Sequence, residues 1–119
     1  MFEIFVEHTF ASAHFLRNYK GKCENLHGHN YRVQVGMTGE LDQHGMLFDF
    51  ADLKQRLRKT SGYLDHQCIN ELKPFDTINP SAENIAKFIF DEIQRDIEPA
   101  KLAYVRVWET DTSCAVYRR

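Results

Sequence analysis

Apolar and polar residues alternate from the start of the chain. Phe2, Ile4, Val6 and Phe10 share one parity, Glu3, Glu7 and Thr9 the other. Successive side chains of a strand point to opposite faces, so residues 2–10 read as a strand. Residues 30–38 alternate more clearly, with Tyr31, Val33, Val35 and Met37 against Asn30, Arg32, Gln34 and Thr38. The stretch between these two strands is long, polar and rich in His, Gly and Cys, and a long connection inside a compact domain is usually functional.

A helical spacing follows, with Phe50, Leu53, Leu57 and Leu64 on one stripe and Asp49 placed to cap it. Ser61-Gly62 is expected to weaken this helix before Asp65-His66. A second helix is expected to open at Asn79-Pro80 with the proline at its first position. Ala82, Ile85, Ala86, Ile89 and Ile93 form its apolar stripe, and Glu98-Pro99 ends it. Residues 102–110 alternate again, with Val105 and Val107 opposite Tyr104, Arg106 and Trp108. A turn at Asp111-Thr112 leads to a last strand over 113–118. The order ββααββ predicts an α+β fold: a four-stranded antiparallel sheet with two helices on one face. Its other face would carry Phe5, Tyr104 and Trp108, an exposed aromatic surface that predicts association with further copies of the chain.

With 119 residues, 43% hydrophobic and 27% charged, residues 1–119 read as one soluble globular domain. The net charge of -2 comes without any basic block, which argues against a nucleic-acid partner. The opening MFEIFVEHTF lacks the pattern of an export signal, and no apolar run has bilayer length, so no membrane association is expected. The three cysteines, Cys23, Cys68 and Cys114, are an odd number, which with the missing signal predicts reduced thiols in the cytoplasm.

The chemistry concentrates between the first two strands. His27 and His29 are two apart and therefore face the same side of a strand. His14 closes the partner strand. Three imidazoles with an open fourth position make the catalytic zinc arrangement. Cys23 can be a base or nucleophile, its thiol made more acidic by zinc and by Lys20 and Lys22, or it can be a fourth ligand that closes a structural site. Cys68 and Cys114 are expected to be buried, His8 to be a satisfied sheet histidine, and His44 to lie in a solvated turn. Asp65-His66 can be an acid–base pair or a solvated helix end. Glu109, at the end of the third strand, suits a guanidine-like ring edge, to which a carboxylate accepts two N–H bonds. Arg17, Lys20 and Lys22 are either anion contacts or a solvated loop.

Taken together, His14, Cys23-x-x-x-His27-Gly-His29, Asp65-His66 and Glu109-Thr110 resemble the 6-pyruvoyl-tetrahydropterin synthase superfamily, whose bacterial branch includes 6-carboxy-tetrahydropterin synthases of queuosine biosynthesis. The resemblance runs over essentially the whole chain and includes Leu-Phe-Asp-Phe, Leu-Asp-His and Asn-Pro-Ser-Ala-Glu-Asn. It implies the tunnelling fold, assembled as trimers that stack into hexamers with shared sites. It implies zinc on His14, His27 and His29, proton abstraction by Cys23, and a relay of Asp65 and His66 from a neighbouring subunit. Glu109, with Thr110 beside it, would hold the pterin and also count within the relay. The implied substrate is 7,8-dihydroneopterin triphosphate. Glu24 follows Cys23, and a sister branch uses a glutamate there to form 6-hydroxymethyl-dihydropterin. Glu24 is therefore an alternative acid or base, and a pyruvoyl or folate-branch product is an alternative outcome. The alternative of a different class is a non-catalytic zinc module.

Overall fold

The longest strands of the molecule form its first hairpin. The computed structural model describes residues 1–21 and 23–119; Lys22, and with it the expectations placed on that residue, lies outside the described residues. Strand β1, Phe2–His14, pairs antiparallel with β2, His27–Gly39, from Phe2 opposite Gly39 to His14 opposite His27. Both strands reach further than the alternation of apolar residues, because the end of β1 and the start of β2 are held by histidines and not by core side chains. Helices α1, Phe50–Leu64, and α2, Ala82–Ile97, follow, with a 3-10 turn at Ile69–Glu71 between them. Strands β3, Tyr104–Thr110, and β4, Ser113–Arg118, complete a sheet of order β1-β2-β3-β4.

One face of the sheet meets both helices. Val6, Phe10, Tyr31, Val33, Val35, Met37, Val105 and Val107 are buried there against Leu53 and Leu57 of α1 and Ile85, Ile89 and Ile93 of α2. Helix α1 starts as expected, with the Asp49 carboxylate accepting from the Ala51 N–H. It does not weaken at Ser61-Gly62: the Ser61 hydroxyl is buried and donates to the Leu57 carbonyl 2.8 Å away. Helix α2 starts later than Asn79-Pro80. Ser81 caps it, its hydroxyl accepting from the Asn84 N–H at 3.1 Å, so Pro80 stands outside the helix. A serine hydroxyl can take an orphan N–H, which proline cannot do.

The outer face departs from expectation at Tyr104, which is 1% exposed. Gly36 sits opposite it in the register, and a Cβ there would fall inside the Tyr104 ring. The ring lies in that space under the guanidinium groups of Arg106 and Arg118, 4.0 and 5.7 Å from its centroid, and its hydroxyl donates to Glu3. Trp108 is likewise half-covered by Arg32, stacked at 3.7 Å. Phe5 remains exposed. Of the cysteines expected to be buried, Cys68 is half-buried and Cys114 is exposed, because β4 borders the sheet with no helix over its outer face. His8 is half-buried, and its Nδ1 finds no hydrogen-bond partner among the described residues, so it is not the satisfied histidine expected. His44 lies exposed in a turn closed by Asp42, as expected. No helix is long and apolar enough to cross a membrane.

The close approach at Gly36 gives a direct test. Gly36→Ala should lower unfolding stability by roughly 1–3 kcal/mol through overpacking. Combining it with Tyr104→Ala should cost much less than the sum of the two, as urea titrations of the three variants would read.

Candidate metal centre

Strand β3 pairs with β2 only from Arg32 to Gly36, so the end of the β1–β2 hairpin runs past the rest of the sheet. On its helix-facing side this projecting end carries His14, His27 and His29. His14 stands opposite His27, and His29 opposite Ser12. The ring centroids are 4.7 to 5.1 Å apart, and one donor atom from each ring lies within 4.8 Å of the others.

Two of the rings are oriented by backbone carbonyls. His14 Nδ1 donates to the Pro80 carbonyl at 2.7 Å and His27 Nδ1 to the Asn25 carbonyl at 2.8 Å. A carbonyl only accepts, so each Nδ1 carries a proton, and in the neutral ring each Nε2 keeps its lone pair. His14 is 2% exposed, and its Nε2 and that of His29 are buried with no hydrogen-bond partner among the described residues. Buried polar atoms are nearly always satisfied, so two orphaned imidazole nitrogens facing one spot fit an electron-pair acceptor. Burial, above all, pushes the His29 pKa down and favours the neutral, ligating form, with His14 and His27 adding to it and the Glu109 carboxylate opposing it. These three residues therefore fit a divalent cation. Tyr31 lies edge-on to His14 and His29, with ring centroids 5.8 and 5.5 Å away.

Glu109 comes from β3 and closes the same space. Its carboxylate oxygens lie 3.5 Å from His29 Nε2 and 3.7 Å from His14 Nε2. It also lines a cleft with Ala82, Glu83, Ser113 and Cys114 at the start of α2. Thr110 is exposed, its hydroxyl beside the Thr112 hydroxyl and N–H in the β3–β4 turn.

Asp65 and His66 are not on a helix. Helix α1 ends at Leu64, and His66 takes a left-handed backbone with φ 55°, which turns its ring back so that Nδ1 reaches Asp65 Oδ2 at 2.9 Å. The other oxygen, Asp65 Oδ1, accepts the Ala11 N–H at 2.9 Å. That bond and the one from His66 hold the Asp65 carboxyl below the usual carboxylate range. The Ala11 carbonyl accepts from His66 N–H, and Ala13 N–H donates to Gln67, so residues 65–68 cover the free edge of β1. The His66 side chain is 83% exposed and borders an open cleft shared with His29, Gly28 and Cys68.

Cys23 is exposed in the connection between β1 and β2, and its sulfur is not among the donor atoms that come together. Arg17 is spoken for: its guanidinium donates to the carbonyls of Asn70, Phe75 and Ile78, so it does not stand free for an anion. Lys20 lies over the Tyr19 ring. Glu24 is half-buried, its carboxylate accepting from the Leu16 N–H at 3.1 Å. The residue composition alone gave no sign of Pro80, whose contribution is a carbonyl, nor of Asn70 and Asn79, which bond to backbone beside His14.

A profile of the family described as 6-pyruvoyl tetrahydropterin synthase matches residues 3–119. The chain is similar to the 6-carboxy-5,6,7,8-tetrahydropterin synthase of Haemophilus influenzae, 37% identical with 99% of each chain covered. It is 38% identical to the human 6-pyruvoyl tetrahydrobiopterin synthase over 82% of this chain and 71% of that one. Among solved structures, the 6-pyruvoyl tetrahydropterin synthase of Caenorhabditis elegans superposes with a TM-score of 0.89 at 28% identity, covering 99% of this chain and 95% of that one.

Two outcomes are expected. One zinc ion per chain should bind, and His14→Ala or His29→Ala should abolish binding at equimolar metal while Glu109→Gln retains it, as metal analysis after dialysis would read. Asp65 ionises more readily folded than unfolded, so its stabilising contribution is complete above the ordinary carboxylate value and is lost as pH falls through the lowered one. The melting-temperature gap between the parent and Asp65→Ala should thus be full at neutral pH and close below about pH 4.

Proposed function

The chain belongs to the 6-pyruvoyl tetrahydropterin synthase family, and we propose that it is a zinc-dependent 6-carboxy-5,6,7,8-tetrahydropterin synthase acting on 7,8-dihydroneopterin triphosphate. The observation that carries this reading is the group of three imidazoles, two of which, His14 and His29, turn unpartnered Nε2 atoms toward Glu109. Full-length likeness to synthases of that name, from Haemophilus influenzae and, at 34% identity, Bacillus subtilis, supports the carboxy product.

His14, His27 and His29 would hold the ion, which supplies Lewis acidity toward the hydroxyl oxygens of the substrate side chain. Glu109 receives the amino-pyrimidine edge of the pterin, its two oxygens accepting two parallel N–H bonds, and so fixes the register of the ring. Thr110 adjoins it as a further substrate contact. The Cys23 thiolate takes a proton from the side-chain carbon, and His66, held by Asp65 through Nδ1, takes and returns protons at Nε2. With that Nε2 turned outward on its own protomer, His66 serves the site of a neighbouring copy. Triphosphate leaves by elimination, and hydrolytic cleavage of the bond between the first two side-chain carbons, with water supplying one carboxylate oxygen and the aldehyde hydrogen, releases acetaldehyde. The assembly is a hexamer of two trimers, the compartment the cytoplasm, and the product a precursor for queuosine.

Incubation of the zinc-loaded protein with 7,8-dihydroneopterin triphosphate should give 6-carboxy-tetrahydropterin by chromatography; a pyruvoyl or hydroxymethyl product would reassign the branch. Cys23→Ala should keep its metal and lose turnover. In the cobalt-substituted parent, an intense thiolate charge-transfer band would show Cys23 on the metal and refute its role as a base.

A further inference from the structure

Immediately past His14, β1 leaves β2, and three consecutive residues lose their strand partner. Every backbone N–H and C=O of those residues is nonetheless bonded. Phe15 donates to Asn70 Oδ1 and accepts from Asn70 Nδ2, both at 2.9 Å. Leu16 donates to Glu24 Oε1 at 3.1 Å and accepts from the Glu24 N–H at 2.9 Å. Arg17 donates to Asn79 Oδ1 at 2.7 Å and accepts from Asn79 Nδ2 at 3.0 Å. The partners come from two connections, Glu24 from that between β1 and β2 and Asn70 and Asn79 from that between α1 and α2, and each makes a two-point contact of the kind a neighbouring strand would make. The frame is itself anchored. The Arg17 guanidinium ties the 70–78 segment, Asn84 donates to the Asn79 carbonyl, and the next carbonyl, that of Pro80, orients His14.

We infer that Glu24, Asn70 and Asn79 are positioning residues: together they fix residues 15–17 between the metal ligand His14 and the segment bearing Cys23, and Glu24 acts through its acceptor oxygen and not as an acid or base. An asparagine amide offers one acceptor and one donor a fixed distance apart, which is what a peptide unit requires. At Glu24 the side chain supplies only the acceptor while its own N–H supplies the donor, so a neutral glutamine can do the same work. One oxygen of the carboxylate that would otherwise rival Cys23 for the substrate, Oε1, is taken by the Leu16 N–H. The inference rests on the synthase reading for its kinetic consequence, and on the hydrogen bonds alone for its structural one.

The experiment compares Glu24→Ala, Glu24→Gln, Asn79→Ala and Asn79→Asp in the zinc-loaded assembly. Turnover is read with 7,8-dihydroneopterin triphosphate. Amide exchange at Leu16 and Arg17, the alkylation rate of Cys23 by iodoacetamide, and zinc content are read without substrate. Glu24→Ala should speed exchange at Leu16, change the Cys23 alkylation rate and lower kcat roughly 10- to 100-fold, with KM and zinc content near those of the parent. Glu24→Gln should return all of these, together with the pH profile and product, to the parent's. Asn79→Ala should speed exchange at Arg17 and shift Cys23 alkylation, and Asn79→Asp, which keeps only the acceptor, should fall between it and the parent. A Glu24→Gln variant as impaired in turnover as Glu24→Ala, with Leu16 exchange restored, would overturn the inference in favour of acid–base work by Glu24. Unchanged exchange and alkylation in both alanine variants would overturn it as well. If the parent itself makes no pterin product, the synthase reading fails while exchange and alkylation still decide the frame.

Discussion

The backbone of β1 must keep its hydrogen bonds as the strand runs beyond the sheet that supports it, and the site follows from how that is done. At Ala11 and Ala13 its outer edge is taken by residues 65–68, which places Asp65 and His66. At Phe15, Leu16 and Arg17 the partners are Asn70, Glu24 and Asn79. An unpaired amide away from water would cost about as much as a lost hydrogen bond. The groups that meet this demand are also the ones that hold Asp65 against His66 and stand beside the cysteine.

The imidazole group depends on a second constraint, the fixing of tautomers by carbonyls. Pro80 and Asn25 each accept an Nδ1–H, so two rings turn their Nε2 lone pairs inward without a carboxylate to orient them. The Glu109 carboxylate lies on the open side of the group, beside the Nε2 atoms of His14 and His29 and facing a cleft at the start of α2. Backbone acceptors leave the net charge of the inner site low. A carboxylate at its mouth can then accept N–H groups from a bound molecule while two of the imidazoles are oriented separately, through their Nδ1 atoms.

Much of this was legible in the sequence. Strict alternation at Tyr31, Val33, Val35 and Met37 identified β2 as a strand, and the i, i+2 spacing of His27 and His29 set both on a common side of it. What escaped was whatever depends on backbone atoms or on residues far away. Pro80 acts through a carbonyl, which any residue possesses. Arg17 read as a free cation because nothing nearby in sequence shows that three carbonyls 53 to 61 positions away would take it. Tyr104 read as an exposed aromatic because its cover is the missing side chain of Gly36 together with two arginines. Asp65 and His66 are neighbours that would diverge on a helix, and only the left-handed backbone at His66 brings them together.

The three imidazoles all fall between residues 14 and 29, in a single hairpin, whereas Glu109 and Pro80 arrive from distant parts of the chain. Closing the long loop between β2 and β3 carries an entropy cost that the hairpin does not share. A chain in which only this hairpin has formed therefore already offers an ion its nitrogen donors. An ion with affinity for such a chain stabilises the native state by less than its full binding free energy, because part of that affinity belongs to the competing, incompletely folded ensemble.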